Sequence, residues 1–405
     1  MSDRNRIVVT GLGVVCSIAL DAADFATALR AGHCGARPVT LFDTSGFAYA
    51  TAYEVPPFDA AARLHRIAPE TVGRAARFAA VAARMAVEDA GLTDRELNQR
   101  RGLVAIGTTD GGSHELDLLV AEEIVGGPDG VDPGLVARVP ASALSVAVCR
   151  ELGLTRAEAT TFGTACAAGN YAIGAGFDAL CRGEADFALC GGADALCRRN
   201  FTGFYRLGLL DPEVCRPFDA DRLGLVTGEG AGVLVLESEA AAQARGARVY
   251  GEVLGYGLSC DAYHQLTPQQ SGIVRCMRQA LDDAGCKTGD VDLVCAHATG
   301  TRTNDSVESS ALNEVYGGAP PPAVGIKSMI GHTMGAASAL GAIASLLAIT
   351  HGFVPPTVNH VHTDPDCAVD CVPNTAVEAD LRIVQNNGFA FGGNNAVVVL
   401  GRYPS

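Results

Sequence analysis

The feature that most restricts how this chain can fold is an alternation. Short β-branched runs recur at residues 6–10 (RIVVT), 103–106, 187–190, 232–237 (GVLVLE), 250–254, 291–295 and 396–400, and the Ala-rich stretches 74–90 and 272–284 read as helices. Such apolar runs predict strands covered on both faces, and strands alternating with helices predict an α/β architecture. The 405 residues suggest two or three folding units. Apolar residues are 48% and charged residues 19%, which excludes a disordered chain and supplies a large core.

Two pairs of segments echo each other. TTFGTACAAGNYAIGAGFDAL and GIKSMIGHTMGAASALGAIASLLAI share a polar turn, a special residue and a small-residue helix, and RGLVAIGTTDGG resembles VDLVCAHATGT. They suggest an internal duplication, although so glycine-rich a chain can echo itself by chance. No low-complexity linker divides the halves, and 240–248 is the best junction.

Charge and cysteine use narrow the function. Thirty Lys and Arg against 45 Asp and Glu give a net charge of −15, which argues against nucleic acid or an anionic membrane as partner, since either needs a basic face. The 14 cysteines show no CxxC spacing, and the opening MSDRNRIVVTGLGVV has no apolar leader core. Together they predict a cytoplasmic protein with mostly buried thiols, no metal and no disulfide framework. The weakly polar run 334–350 is too short and too rich in small residues for a membrane span and reads as a buried helix.

Four segments could carry chemistry. Cys166 lies among small residues before a helical stretch, where the helix dipole would favour a thiolate and small neighbours would admit a substrate. The competing reading is a buried, inert cysteine. His297 follows an apolar strand, with Thr299 and Thr301 just beyond it and Asp305 and Glu308 on the next predicted helix. It could equally be a satisfied histidine at a strand end, with the two acids merely suiting a first helical turn. Lys327 and His332 bracket a glycine before the small-residue helix. A lysine in so apolar a context needs a partner, unless it is a surface lysine beside a capping histidine. Phe389 and Phe391 sit in a glycine-rich turn, Asn387 to Asn395, that suits a mobile flap. Gly11-Leu12-Gly13 lacks the spacing of a nucleotide-binding fingerprint.

These segments, with Arg216-Pro217-Phe218-Asp219, Gly228-Glu229-Gly230-Ala231-Gly232 and Asp261-Ala262-Tyr263-His264, resemble in order and spacing the elongating β-ketoacyl-acyl carrier protein synthases of fatty-acid and type II polyketide synthesis. The likeness covers nearly the whole chain. It implies a thiolase fold, in which two duplicated halves, 1–245 and 246–405, stack as a five-layered αβαβα sandwich and dimerise. It implies an acyl-accepting Cys166, catalytic histidines His297 and His332, a supporting Lys327 with Glu308 as its associated carboxylate, and Thr299 and Thr301 on the phosphopantetheine arm. Phe391 would be the gate beside the cysteine, with Phe389 and His264 near the substrate. The backbone N–H groups of Cys166 and Phe391 would form the oxyanion site, and Lys327 and Glu308 would orient a neutral His332. No cofactor would be held permanently; substrates would arrive on acyl carrier protein, and the second subunit would be another copy or a chain-length-factor homologue.

An acidic carrier protein meeting a chain of charge −15 requires a local basic patch. Arg63, Arg66, Arg74 and Arg77 form one candidate cluster, and Arg198, Arg199 and Arg206 another; either could be a solvated face. The chain departs from the family pattern at Ala298, where glycine is usual, at Asn394, where threonine is usual, and at Asp110, where an apolar residue commonly lies beside the acyl pocket. A carboxylate there would shorten the pocket, admit a polar or unsaturated chain, or face the dimer partner, and it favours a specialised pathway. The rival readings are a noncatalytic chain-length-factor-like partner, which typically lacks the cysteine, a nondecarboxylating acyltransferase on the same fold, and a cysteine hydrolase.

Overall fold

In the first strand, β1 (Ile7–Val15), nine consecutive residues are buried, as an apolar run without polar alternation requires. Every residue of β2 (Gly102–Gly107) and β4 (Phe187–Asp194) is likewise buried, as are the first eight of β5 (Gly230–Ser238), and β3 (Ala157–Phe162) lies at the sheet edge. The second group is β6 (Gly251–Cys260), β7 (Leu293–Cys295), β8 (Ala323–Val324), β9 (Ile383–Phe389) and β10 (Asn394–Gly401). The computed structural model describes residues 5–404; Met1 to Arg4, part of the argument against a leader, lie outside the described residues.

The ten strands form one sheet in the order β8-β7-β9-β10-β6-β1-β5-β4-β2-β3. Outward from the β1/β6 seam, the two halves repeat each other: β1-β5-β4-β2-β3 on one side and β6-β10-β9-β7-β8 on the other. Each half has two antiparallel pairings followed by two parallel ones. Each also has a register shift at the same place, opposite Thr10 in β1 and Leu254 in β6. The duplication inferred from sequence echoes is therefore written into the strand topology.

Helices complete the layers. Helices α1 (Arg74–Asp89) and α2 (Ala143–Leu152) cover the outer face of the first half, and α5 (Gln270–Ala284) with α6 (Arg302–Val315) covers that of the second. Between the half-sheets lie α3 (Ala168–Cys181) and α7 (Ala337–His351), each packed against strands of both halves. This is the five-layered αβαβα arrangement. Among the described residues, the one segment long and apolar enough to cross a membrane, Met334–His351, ends in α7 and is 89% buried inside the protein, so it is a core helix. Close approach of α3 to α7 depends on Gly169, where a Cβ would stand 2.6 Å from the Ala339 nitrogen.

The Gly-x-Gly of the first strand has a packing role, and the second half repeats it. A Cβ on Gly11 or Gly13 would come within 2.1 or 1.8 Å of the carbonyl oxygens of Ala86 or Ala82 in α1. In β6, a Cβ on Gly255 or Gly257 would meet the backbone of α5 at 2.5 or 2.4 Å. Missing side chains thus let each covering helix lie directly on its sheet. Gly13→Ala should lower stability by about 3 kcal/mol, the upper range for overpacking a rigid backbone contact. Gly126→Ala, which meets nothing within 4 Å, should leave it unchanged, as measured by urea unfolding.

Candidate active site

Three turns bring the candidate reactive residues together. Cys166 lies in the 3-10 turn Ala165–Ala167 that leads into α3, and His297 follows the C-terminal end of β7. His332 precedes the 3-10 turn Met334–Ala336 that leads into α7. One reactive atom of each lies within 4.8 Å of the others, and all three residues are buried. The imidazole rings stand 5.6 Å apart at 85°. They line a cavity of about 210 Å³ together with Thr299, Thr301, His264, Phe389 and Phe391. A larger cavity, about 910 Å³, opens at the far end of α7 and contains none of these residues.

Each turn contains a non-glycine residue in the left-handed region: Ala165 at φ 50°, Ala298 at φ 38° and Met334 at φ 52°. Such a conformation costs an L-residue about 1–2 kcal/mol and persists only when its surroundings hold it. At Ala298 the holder is Glu308 of α6, whose carboxylate accepts from the His297 and Ala298 N–H groups, both at 2.8 Å, and from the Asn387 amide at 2.9 Å. Lys327 donates to the His297 carbonyl at 2.5 Å. Lysine and glutamate therefore meet at the backbone of His297 rather than at each other.

That arrangement corrects the expectation that Lys327 and Glu308 orient His332. The Met334 N–H does so, donating to His332 Nδ1 at 3.1 Å, while the His332 backbone bridges to Val226 and Gly228. With Nδ1 occupied as an acceptor, a neutral ring carries its proton on Nε2. His332 is thus a fixed hydrogen-bond donor, and this tautomer opposes metal ligation through Nε2. His297 Nδ1 is buried without a hydrogen-bond partner. Burial first, and the Lys327 charge second, hold both imidazoles well below their ordinary pKa, so both are neutral near pH 7. Burial also lowers Lys327 and raises Glu308.

The cysteine departs from expectation. The helix dipole was to favour a thiolate, but burial dominates and pushes the Cys166 thiol up to about 11. Lys327 and the N–H groups of Phe391 and Cys166, which face the sulfur, only partly offset this. The same two N–H groups are those required of an oxyanion site. Phe391 is half-buried, with its ring 6.1 Å from that of Phe204, in a turn whose Gly392 and Gly393 both have positive φ. The Thr299 and Thr301 hydroxyls lie 2.9 Å apart, and exposed His264 caps its own loop by accepting from the Leu266 and Thr267 N–H groups.

The remaining candidates are dispersed. Asp110 lies outside the cavity lining, 3.4 Å from the Arg199 guanidinium. Arg63, Arg66, Arg74 and Arg77 do not form one open patch. Arg63 lies against Met85, Arg66 pairs with Asp94, and Arg77 is half-buried. Arg74 makes a bidentate bond to buried Glu229. Arg198, Arg199 and Arg206 share α4 (Arg198–Arg206), and Phe204 of α4 and the following Leu207 line the cavity. Sequence reasoning missed Asp194 at the end of β4. Its buried carboxylate accepts from the Thr108 hydroxyl at 2.6 Å and the Thr109 and Gly335 N–H groups at 2.7 and 2.6 Å. Its only sequence signal is an acid closing the apolar run FALCGGAD.

The N-terminal domain of the β-ketoacyl synthases matches residues 4–242, and their C-terminal domain matches residues 250–361. The chain belongs to the β-ketoacyl synthase family. This is a family of acyltransferase-type enzymes, and the chain's relatives are of the elongating kind. It is 37% identical over 412 residues to 3-oxoacyl-[acyl-carrier-protein] synthase 2 of Synechocystis sp., covering 99% of both chains. Among solved structures it is similar to the ishigamide ketosynthase/chain length factor (56% identity, TM-score 0.98, 99% of this chain and 100% of that one). It is also similar to a type II PKS acyl-carrier protein in complex with its ketosynthase bound to the hexaketide (29% identity, TM-score 0.91, 99% and 100%).

Within this β-ketoacyl synthase scaffold the Ala298 departure costs little: its left-handed strain of about 1–2 kcal/mol is partly offset by the burial of a methyl worth about 0.8 kcal/mol. The raised thiol pKa has a sign that can be checked. Cys166 should be protonated at pH 7, and its alkylation by iodoacetamide should accelerate continuously from pH 7 to pH 10. A plateau by pH 8 would mark a thiolate stabilised at rest.

Proposed function

We propose that this chain is an elongating ketosynthase that performs a decarboxylative Claisen condensation, with residues 1–245 supplying the nucleophile and 246–405 the two histidines. The observation that carries this reading is the meeting of one thiol and two neutral imidazoles within 4.8 Å, one imidazole held as an Nε2–H donor.

The first half-reaction loads the enzyme. Cys166 sulfur attacks the thioester carbonyl of an acyl carrier protein, and its proton passes through His297 to the departing phosphopantetheine sulfur. The Cys166 and Phe391 N–H groups stabilise the tetrahedral oxyanion. In the second, malonyl carrier protein places its thioester carbonyl against His297 and the His332 Nε2–H. As the carboxylate leaves as carbon dioxide, the electrons of the broken carbon–carbon bond collect on that oxygen. The fixed His332 donor, with His297 beside it, stabilises this charge more than the ground state. The enolate carbon then attacks the acyl-cysteine, the carbon–sulfur bond breaks, and the departing Cys166 thiolate takes up a proton from solvent. Thr299 and Thr301 offer hydroxyls to the phosphopantetheine arm, and Phe391 gates the sulfur. The substrates travel on carrier protein, and no resident cofactor takes part.

The 56% identity to the ishigamide ketosynthase/chain length factor, with the likeness to a type II PKS ketosynthase, supports a specialised, polyketide-like role and a second subunit of the same fold, either another copy or a chain-length-factor homologue. The presence of Cys166 and both histidines disfavours a noncatalytic partner. Intact-protein mass spectrometry with a panel of acyl carrier proteins tests the reading. Acyl adducts should form on the wild type and be lost in Cys166→Ala. His332→Ala should still load but condense about 10²–10³-fold more slowly. Turnover without release of carbon dioxide would replace condensation with acyl transfer.

For the carrier protein we favour α4, because exposed Arg206 sits beside Leu207 at the cavity wall while Arg74 is committed to Glu229. Arg206→Glu should raise KM for carrier-protein substrates about tenfold and leave loading from a small-molecule thioester unchanged. Equal loss with both substrates would remove Arg206 from docking.

A further inference from the structure

The two catalytic elbows are counterparts in the duplicated fold. Thr164-Ala165-Cys166 and Thr333-Met334-Gly335 have the same backbone form: a threonine with ψ near 30° followed by a left-handed residue with φ near 50°. Each leads into its half's central helix. Successive N–H groups around such a right-handed to left-handed step form a concavity that binds anions. In the first half, the Cys166 N–H faces its own sulfur, where the reaction would generate an oxyanion.

In the second half the corresponding N–H belongs to Gly335, and it donates to Asp194 at 2.6 Å. Asp194 is 1% exposed and belongs to the first half. The fit is tight: a Cβ on Gly335 would come within 2.5 Å of Thr108 and 2.8 Å of the Asp194 carboxylate, and a Cβ on Gly192 within 2.3 Å of the Gly335 oxygen. The preceding N–H, that of Met334, donates to His332 Nδ1. Thus one strained step carries two adjacent donors, one holding the imidazole and the other held by the carboxylate.

We propose that Asp194 is a positioning residue for condensation, a built-in anion that fills the second half's elbow and thereby keeps the Met334 N–H on His332 Nδ1 and the His332 proton on Nε2. It touches no substrate and acts only through His332. The proposal rests on the condensation reading, because only that reaction needs the His332 donor while loading at Cys166 does not.

The experiment compares wild type, Asp194→Ala, Asp194→Ser and Asp194→Asn. It measures loading of Cys166 by intact mass, condensation of the preloaded enzyme with malonyl carrier protein, and the tautomer of ¹⁵N-labelled His332 by NMR. Asp194→Ala should load within about threefold of wild type, condense about 100-fold more slowly and lose the single Nε2–H signature. Asp194→Ser, with a short polar group but no reach to Gly335, should behave alike and serves if the alanine variant does not fold. Asparagine can accept from Gly335 and Thr109 through its oxygen and donate to the Thr108 hydroxyl, so Asp194→Asn should recover condensation to within about fivefold. Equal loss of loading and condensation, an unchanged His332 tautomer, or an asparagine variant as impaired as the alanine one would each overturn the proposal. Failure of the wild type itself to condense would instead remove the functional reading.

Discussion

The active site depends on buried carboxylates bonded to backbone N–H groups. Catalytic geometry here requires non-glycine residues in left-handed turns, and a side chain in that region relaxes unless something opposes it. Glu308 holds the His297–Ala298 step through two N–H groups, and Asp194 ties down Gly335 next to Met334. Neither carboxylate lines the reaction cavity. Both are buried, and their N–H partners offset the desolvation that pushes their pKa upward. Lys327 completes the frame by binding the carbonyl of the residue whose N–H Glu308 takes.

Duplication explains why such a frame can exist. The two halves share strand order, pairing sense, bulge position and a pair of packing glycines under the covering helix. Each presents an elbow at the start of its central helix, and the halves stack so that the two elbows face one cavity. Chemistry then breaks the symmetry. One elbow carries Cys166, the proposed nucleophile, at the position after its left-handed residue. The other has glycine there, bound to a carboxylate, and carries its histidine two residues before the left-handed one. One backbone form thus serves as thiol mount and as imidazole mount.

The electrostatics follow from burial. Apolar walls and the fixed positive charge of Lys327 keep both imidazoles neutral, which suits hydrogen-bond donors, while the same walls keep the resting thiol protonated. Helix-dipole reasoning from the sequence captures one contribution to the cysteine and omits the larger one. Desolvation depends on what the rest of the chain stacks over the sulfur, and that is invisible in the residues flanking it.

The sequence by itself determined the class of fold, because apolar runs of strand length alternating with small-residue helices have few other ways to bury themselves. It also singled out Cys166, His297, Lys327 and His332 as candidates, each in a short local motif, while their grouping with Glu308 into one site was implied by the family resemblance and not by spacing. Strands β3 and β9 were not legible: the former is a half-exposed edge, and the latter holds Gln385, Asn386 and Asn387, whose burial is tolerable only because partners elsewhere satisfy them. The tertiary structure alone decided which atom orients which. Glu308 turned out to hold His297, Met334 to hold His332, and Asp194 to hold Gly335 across 141 positions of sequence. It also separated Arg74, locked on Glu229, from the exposed arginine of α4. Composition and periodicity report how a residue relates to its neighbours along the chain, whereas hydrogen bonds and desolvation are set by neighbours in space.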